Sequence, residues 1–137
     1  MEFALQKTLS SAEVKLIRQK LNLKQRELAE FVNVSVKTVE YWERNGGQVK
    51  GSAAALLCIL RERAGILDEF RVPEKKLPVR LKYMYGEQLC TVIDVDDRTR
   101  QVRIKNFVTD PLFRAFGRTA EPTYEEYEEF LESRCFP

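Results

Sequence analysis

The chain contains no histidine, and its three cysteines, Cys58, Cys90 and Cys135, include no Cys-x-x-Cys pair. An odd number of isolated cysteines provides neither a closed disulfide framework nor a four-cysteine zinc site. Without histidine, the chain lacks Ser-His-Asp and Cys-His nucleophile activation and every His-ligated metal site. The composition therefore predicts a protein that is not an enzyme, with no catalytic residue, no cofactor and no metal.

Long apolar segments are also missing. No run approaches the roughly 18 apolar residues of a membrane span, and the start, MEFALQKTLS, lacks a basic segment followed by an apolar one. We therefore expect a cytoplasmic protein that does not enter a membrane. A length of 137 residues with 44% hydrophobic side chains is typical of one ordinary globular domain or two small ones.

The net charge is only +2, but the charges are unevenly distributed. Residues 1–70 carry 11 basic and 9 acidic side chains, residues 71–118 carry 11 and 6, and residues 119–137 carry 1 and 6. The middle of the chain is therefore positive and its end negative. This segregation indicates electrostatic docking within the chain or between subunits, or simply an acidic helix in solvent.

The prolines divide the chain. Residues 10–70 contain none and follow a helical period, whereas residues 71–80 contain two prolines and two lysines. Each proline lacks a backbone N–H donor and disfavours a helical conformation in the residue before it. We therefore predict one domain over residues 1–70, a linker over 71–78, and a second domain over 79–137.

In the second domain the hydrophobic period changes to two, which predicts strands. Turn residues at Gly86-Glu87 and 96–99 divide them into a three-stranded antiparallel meander. Thr123 and Glu126 have the spacing of a capping box, so a last helix is predicted to start there. The residues expected to pack between sheet and helix are Leu81, Tyr83, Tyr85, Ile93, Val95, Val102 and Ile104 from the strands, and Tyr124, Tyr127, Phe130 and Leu131 from the helix.

The opposite face of this sheet is predicted to be basic, through Arg80, Lys82, Arg103 and Lys105. Such a face could contact the DNA backbone, an acidic protein, or the Glu-rich helix of a second subunit. A polar face in solvent is the more common arrangement in antiparallel sheets. The sequence does not distinguish between these possibilities.

The first domain carries the most specific signals. Ser10 and Glu13 have capping-box spacing at the start of a first helix, and a second helix is predicted over residues 25–32. Asn33 follows at a turn that requires a positive φ, and Ser35 can cap a third helix. Two helices joined by a short turn, the second polar on its outer face, are typical of a helix-turn-helix.

The two sides of the third helix differ in character. Val39 and Trp42 are three residues apart, so they share a face and are expected in the core. Glu43 is expected to form an ion pair with a basic residue of the first helix. A fourth helix over residues 52–63 is expected to complete the core with Ala54, Leu56, Leu57, Ile59 and Leu60.

The stretch LNLKQRELAEFVNVSVKTVEYWERNGG resembles the Cro/repressor (XRE-type) helix-turn-helix family, within residues 10–63. The run VSVKTVEYWERN followed by GSAAALLCIL is most similar to the HigA-type and MqsA-type antitoxin branch. Two positions depart from the family pattern. Lys24 stands where the family usually has a Thr or Ser cap, and Asn33 replaces the usual turn glycine.

The resemblance implies that the third helix reads the major groove of double-stranded DNA. Residue by residue, it implies base contacts by Val36, Lys37 and Tyr41, with Thr38, Glu40 and Arg44 nearby, and phosphate contacts by Gln25 and Ser35. The side-chain chemistry agrees, because Lys37 can donate to guanine and Val36 can contact a thymine methyl group. The alternative is a solvated helix face on which Glu40 pairs with Arg44.

The fold class predicted is α+β, with an N-terminal all-α helix-turn-helix domain followed by a small three-stranded antiparallel sheet and a C-terminal helix. The first functional hypothesis is a sequence-specific transcriptional regulator, a homodimeric autorepressor that binds an inverted repeat. The second is an antitoxin or phage-borne inhibitor in which residues 79–137 bind and neutralise a toxin or nuclease. In either case, residues 79–137 are expected to serve dimerisation or partner binding.

Overall fold

The computed structural model describes residues 1–135, apart from the side chain of Cys135. The chain forms two compact units, Met1–Glu69 and Phe70–Pro137, and each has its own hydrophobic core. Residues 71–78, which the sequence predicts as a linker, lie within the second unit. In the part of the chain that the structure describes, no helix is both long enough and apolar enough to cross a membrane.

The first unit is mainly helical. Its elements are β1 (Thr8–Ser10), α1 (Ser11–Lys20), α2 (Gln25–Val32), α3 (Val36–Glu43), β2 (Gln48–Lys50) and α4 (Gly51–Glu62), with α5 (Ile66–Phe70) at its boundary. Strands β1 and β2 pair antiparallel, with Leu9 opposite Val49, and both of these side chains are buried. The prediction that the N-terminal domain is all-α was therefore wrong, whereas the predicted α+β class of the chain is confirmed. Strands of three residues are too short to show a period of two.

The helix boundaries follow the local signals. The Glu13 N–H donates to Ser10 Oγ (3.2 Å) and the Ser10 N–H donates to Glu13 Oε1 (3.1 Å), which confirms the capping box of α1. Asn33 ends α2 in the left-handed conformation, with φ 63°. At the start of α2, the Lys24 N–H donates to Glu27 Oε1 (2.8 Å), while the Lys24 side chain makes no capping bond.

The core of the first unit lies between α1, α2, α3 and α4. Helix α4 contributes Ala54, Leu57 and Leu60, which are all fully buried. Ile59, which was expected in the core, is exposed instead. The reason is the helical period: Ala54, Leu57 and Leu60 are spaced by three, so they share one side of α4 and Ile59 falls outside it.

The second unit contains the predicted meander. Strands β3 (Val79–Tyr85), β4 (Gln88–Asp96) and β5 (Gln101–Asn106) pair antiparallel in that order, and α6 (Tyr124–Cys135) follows after a short 3-10 turn at Pro111–Phe113. Ile93 and Val95 are fully buried beneath Tyr127 of α6. The Glu126 N–H donates to Thr123 Oγ1 (3.1 Å), and the Thr123 N–H donates to Glu126 Oε1 (3.4 Å), as the capping-box spacing predicts.

Tyr85 is an exception to the predicted sheet face. Its side chain is 66% exposed and contacts Phe113 edge-to-face, with ring centroids 4.8 Å apart. The strand pairing shifts by one residue after Tyr83, so Met84 lies opposite Leu89. Because this β-bulge interrupts the regular register, the alternation that places Tyr83 against α6 does not extend to Tyr85.

The acidic last helix contacts a basic residue of its own unit, Arg100. Arg100 Nη2 lies 3.6 Å from Glu125 Oε1 and 3.4 Å from Glu128 Oε1, and its guanidinium lies over the Tyr124 ring. All three charged groups are largely exposed, so these pairs contribute little to stability. Part of the charge segregation is therefore used within the second unit.

Candidate nucleic-acid interface

Helix α3 begins at a side-chain cap. Ser35 Oγ accepts a hydrogen bond from the Thr38 N–H (3.2 Å) and lies 2.9 Å from Thr38 Oγ1. The predicted role of Ser35 as the N-cap is thus confirmed. The hydroxyl of Thr38 is used within this cap, and its side chain is only partly exposed.

A tight turn closes the other end of α3. The Gly47 N–H donates to the Arg44 carbonyl (2.7 Å), and a Cβ atom at Gly47 would overlap the backbone carbonyls of Tyr41, Trp42 and Arg44. No other residue type fits there without moving the backbone. Sequence reasoning gave Gly47 no role, although the Gly46-Gly47 pair was a visible signal.

The inner side of α3 is anchored in the core. Val39 is fully buried and Trp42 is 7% exposed, so both are core residues as predicted. The outer side is open. Val36 is 39% exposed and Tyr41 57%, and the remaining exposed members are Lys37, Glu40 and Arg44. These five positions fall on adjoining turns of one helix side, and we call them the α3 outer face.

An ion pair fixes the end of α3 to α1. Arg18 Nε lies 2.7 Å from Glu43 Oε2, and Arg18 Nη2 lies 2.8 Å from Glu43 Oε1. Arg18 Nη1 also donates to the Leu23 carbonyl (2.9 Å). Both side chains are largely buried, and the hydrogen bond to Glu43 raises the pKa of Arg18. The expected pairing of Glu43 with the first helix is confirmed, so Glu43 is not available to read bases.

Gln25 lies at the start of α2 and contacts this pair. Its Nε2 donates to Glu43 Oε1 over 3.5 Å, a long hydrogen bond, and its side chain is half-buried. The structure therefore brings Gln25 to the end of α3. Lys24 and Arg26, on either side of it in sequence, are both exposed cations that sequence reasoning did not include.

The alternative interpretation of α3 is a solvated helix face on which Glu40 pairs with Arg44. Among the ion pairs of residues 1–135, none joins these two side chains. Both are exposed. The α3 outer face therefore presents two cations, one carboxylate, a phenol and an aliphatic side chain to solvent, and no side-chain hydrogen bond or ion pair within residues 1–135 engages them.

Comparison with known proteins identifies the class of this unit. Residues 14–59 match a family model described as helix-turn-helix, and this segment contains α2, α3 and most of α1 and α4. The first unit is thus a helix-turn-helix domain, and the match supports the resemblance to the Cro/repressor (XRE-type) family. It covers less than half of the chain and does not reach the second unit. No curated protein and no solved structure matches the chain.

Proposed function

We propose that this protein is a sequence-specific transcriptional regulator that places α3 in the major groove of DNA. The observation that supports this best is the division of α3 into two sides. Val39 and Trp42 hold one side in the core, whereas the α3 outer face is exposed and chemically varied. A helix-turn-helix uses the outer side of its second helix to contact base edges.

The side chains divide into base and phosphate contacts. Lys37 donates to O6 or N7 of guanine, Val36 packs on a thymine methyl group, and Tyr41 reaches a base edge or a phosphate. Gln25 and Ser35 contact phosphates near the starts of α2 and α3, where free backbone N–H groups favour an anion. Thr38, Glu40 and Arg44 are the neighbouring side chains of the site, and Lys24 and Arg26 add sequence-independent phosphate contacts.

We infer that the active form is a cytoplasmic homodimer that binds an inverted repeat and represses its own gene. A single helix-turn-helix domain buries little surface and contacts few base pairs, so pairing two copies increases affinity and specificity. The two half-sites would lie one helical turn apart, about 34 Å.

The direct test is a fluorescence anisotropy titration with the duplex that precedes the gene. We expect tight binding to this duplex and weaker binding to a scrambled duplex of the same composition. Affinity should fall as salt rises, because cations of the interface displace condensed counterions from the DNA. Equal affinity for both duplexes at physiological salt would contradict sequence-specific recognition.

Substitutions on the α3 outer face test the site itself. Lys37→Ala and Tyr41→Ala should each weaken operator binding by about 1–3 kcal/mol without lowering the melting temperature. Lys15→Ala is the matched control, since Lys15 is an exposed lysine on α1. If the control weakens binding as much as Lys37→Ala does, the contacts are not those of α3.

A second candidate function is that of an antitoxin or inhibitor of the HigA or MqsA type, whose second unit binds a toxin or nuclease. The observation that favours an interaction surface there is the exposed apolar group around Tyr85 and Phe113, together with Leu112, which is 86% exposed. Exposed apolar clusters of this kind mark protein interfaces. The same group could serve dimerisation instead.

Truncation after Glu69 distinguishes the two roles. If the second unit pairs subunits, the shortened protein should be a monomer in sedimentation and bind the operator weakly. A folded fragment that remains dimeric and binds the operator as tightly as the full chain would exclude a dimerisation role, and would favour a partner protein. Circular dichroism of the fragment checks that it is folded.

A further inference from the structure

The sheet face opposite α6 contains a row of three charged residues. Asp94 on the middle strand lies between Arg80 on β3 and Arg103 on β5, its two cross-strand neighbours. Both carboxylate oxygens bind Arg80, at 2.7 Å from Nε and 2.7 Å from Nη2. Among residues 1–135, no hydrogen bond or ion pair reaches the Arg103 guanidinium. Arg103 is therefore a cation without a counterion, beside a carboxylate that is already neutralised.

The next row of residues on this sheet face, one step along the strands, is covered by residues 71–77 at the start of the second unit. Val92 lies between Lys82 and Lys105 in the strand pairing, yet its side chain is only 1% exposed. Residues 71–77 are held near this face by two backbone carbonyls. Arg80 Nη1 donates to the Pro73 carbonyl (2.6 Å), and Lys105 Nζ donates to the carbonyl of Arg71 (2.5 Å).

A cleft of about 350 Å³ lies between residues 73–77 and the sheet. Its lining combines apolar side chains with charged ones: Pro73, Leu77 and Val92, and Glu74, Lys76 and Arg103. Asp94 and Lys105 also line it. Because Arg80 neutralises Asp94, Arg103 and Lys76 outnumber the one remaining carboxylate of the lining, that of Glu74. The cleft is therefore positive, and its volume is within the usual range for a small-molecule site.

We propose that this cleft binds a small organic anion with an apolar body. The carboxylate or sulfonate of the ligand accepts two parallel hydrogen bonds from the Arg103 guanidinium, a geometry that arginine provides and lysine does not. The apolar body lies against Pro73 and Leu77, which line the cleft together with the buried Val92. A nucleic-acid phosphate would not use this apolar floor, which residues 73–77 partly cover. The proposal does not depend on DNA binding by the first unit.

The test uses two fluorescent probes with the full-length protein. Anilinonaphthalene sulfonate carries an aromatic body and one anionic group, and N-phenylnaphthylamine carries the same kind of body without the anion. We expect saturable binding of the sulfonate with one site per chain, and much weaker binding of the neutral probe. Equal affinity for the two probes would overturn the proposal, because the cation would then have no role.

Variants locate the site. Arg103→Gln should weaken sulfonate binding about tenfold or more, as expected for a lost charge-assisted hydrogen bond, and leave the neutral probe unaffected. The sulfonate affinity of Arg103→Lys should fall between those of the parent and Arg103→Gln, since lysine keeps the charge but cannot donate two parallel hydrogen bonds. Arg98→Gln is the matched control, because Arg98 is an exposed arginine in the β4–β5 turn. Binding that is unchanged in Arg103→Gln would overturn the proposal.

Two further measurements separate this site from others. Amide chemical shifts of isotope-labelled protein should change at Leu77, Val92 and Arg103 on addition of the sulfonate probe, and changes confined to the first unit would overturn the assignment. Duplex DNA at saturating concentration should leave the probe bound. If the duplex displaces it, the cationic face is a nucleic-acid surface and the proposal is wrong. Failure of operator binding alone would contradict only the proposed DNA-binding function.

Discussion

Each unit of the molecule contains one bidentate arginine–carboxylate pair and one reciprocal helix cap. The pairs are Arg18–Glu43 in the first unit and Arg80–Asp94 in the second, and the caps are Ser10–Glu13 and Thr123–Glu126. In the first unit the ion pair fixes the end of α3, so the α3 outer face is presented to solvent in one orientation. In the second unit, Arg80 binds both carboxylate oxygens of Asp94 at the centre of the sheet, and Arg103 is left without a carboxylate partner.

This difference explains why the functional surface of the first unit is easier to predict from the sequence than that of the second. The outer and inner sides of α3 follow from a helical period within eight residues of sequence. The chemistry of the second unit depends instead on which strands pair, and on a segment that covers the sheet. Four sets of matched substitutions, one member in each unit, test whether the units behave as separate bodies.

The largest expected effect comes from the two cores. Trp42→Ala and Ile93→Ala each remove a buried side chain. Trp42→Ala should lower the free energy of unfolding by roughly 3–5 kcal/mol, and Ile93→Ala by roughly 2–5 kcal/mol. We expect Trp42→Ala to lower only the transition of the first unit and Ile93→Ala only that of the second. Calorimetry reports both transitions in the parent and in both variants. In the parent and in Ile93→Ala, tryptophan fluorescence also reports the first unit, because Trp42 is the only tryptophan of the chain.

Tyr41→Ala is the control for Trp42→Ala, since it removes the adjacent aromatic side chain from the exposed side of α3. It should leave the melting temperature unchanged. A Trp42→Ala protein that melts like the parent would show that the register of α3 is wrong. A single transition shifted by both core substitutions would show that the two units unfold together.

The next largest effect comes from the ion pairs. Glu43→Gln and Asp94→Asn each leave a partly buried arginine without its carboxylate, and each should cost about 2 kcal/mol. Glu43→Gln should also weaken operator binding, because the end of α3 is no longer fixed to Arg18. Asp94→Asn should not. Urea denaturation and the anisotropy titration measure the two effects, and equal loss of DNA affinity in both variants would contradict this division.

Helix caps have a smaller effect. Ser10→Ala and Thr123→Ala each remove a side chain that accepts a backbone N–H at the start of a helix, and each should cost about 1 kcal/mol. Ser133→Ala is a control within α6, because Ser133 is an exposed serine away from the start of that helix. Chemical denaturation should show a loss for both caps and little change for the control. A cap variant as stable as the parent would argue against the capping boxes.

The smallest effect is a difference in pH dependence. A hydrogen bond from Gln6, and then bonds to Ser10, hold the pKa of Glu13 below its usual 4.5. Because the folded pKa is lowered, this stabilisation is present above pH 4.5 and is lost as the pH falls below it. In the second unit, the hydrogen bond to Asp97 raises the pKa of Tyr124 from 10.0 to about 12. That stabilisation is present below pH 10 and is lost as the pH rises towards 12.

We therefore expect Glu13→Gln to reduce the acid dependence of the first transition and Tyr124→Phe to reduce the alkaline dependence of the second. Melting temperatures measured across pH for the parent and both variants provide the check. An unchanged pH profile in either variant would show that its hydrogen bond does not persist in solution.

Sequence reasoning succeeded where contacts are local. Ser35, Asn33 and the Thr123–Glu126 pair act on backbone groups a few residues away, so their spacing alone predicts the cap or turn. It missed two features that depend on the details of strand pairing. The pairing of β1 with β2 and the exposure of Tyr85 depend on strand register, which no local spacing encodes.

The sequence by itself determined the helix-turn-helix, the two sides of α3 and the three-strand meander, because backbone geometry fixes which near neighbours share a face. Only the tertiary structure decided which charges remain free. Arg80 and Arg103 are equivalent in sequence terms, as basic residues on one face of the sheet. Arg80 donates to both oxygens of Asp94, whereas Arg103, on the other neighbouring strand, makes no bond to this carboxylate, because the side-chain geometry of the folded sheet brings only one guanidinium into line with it.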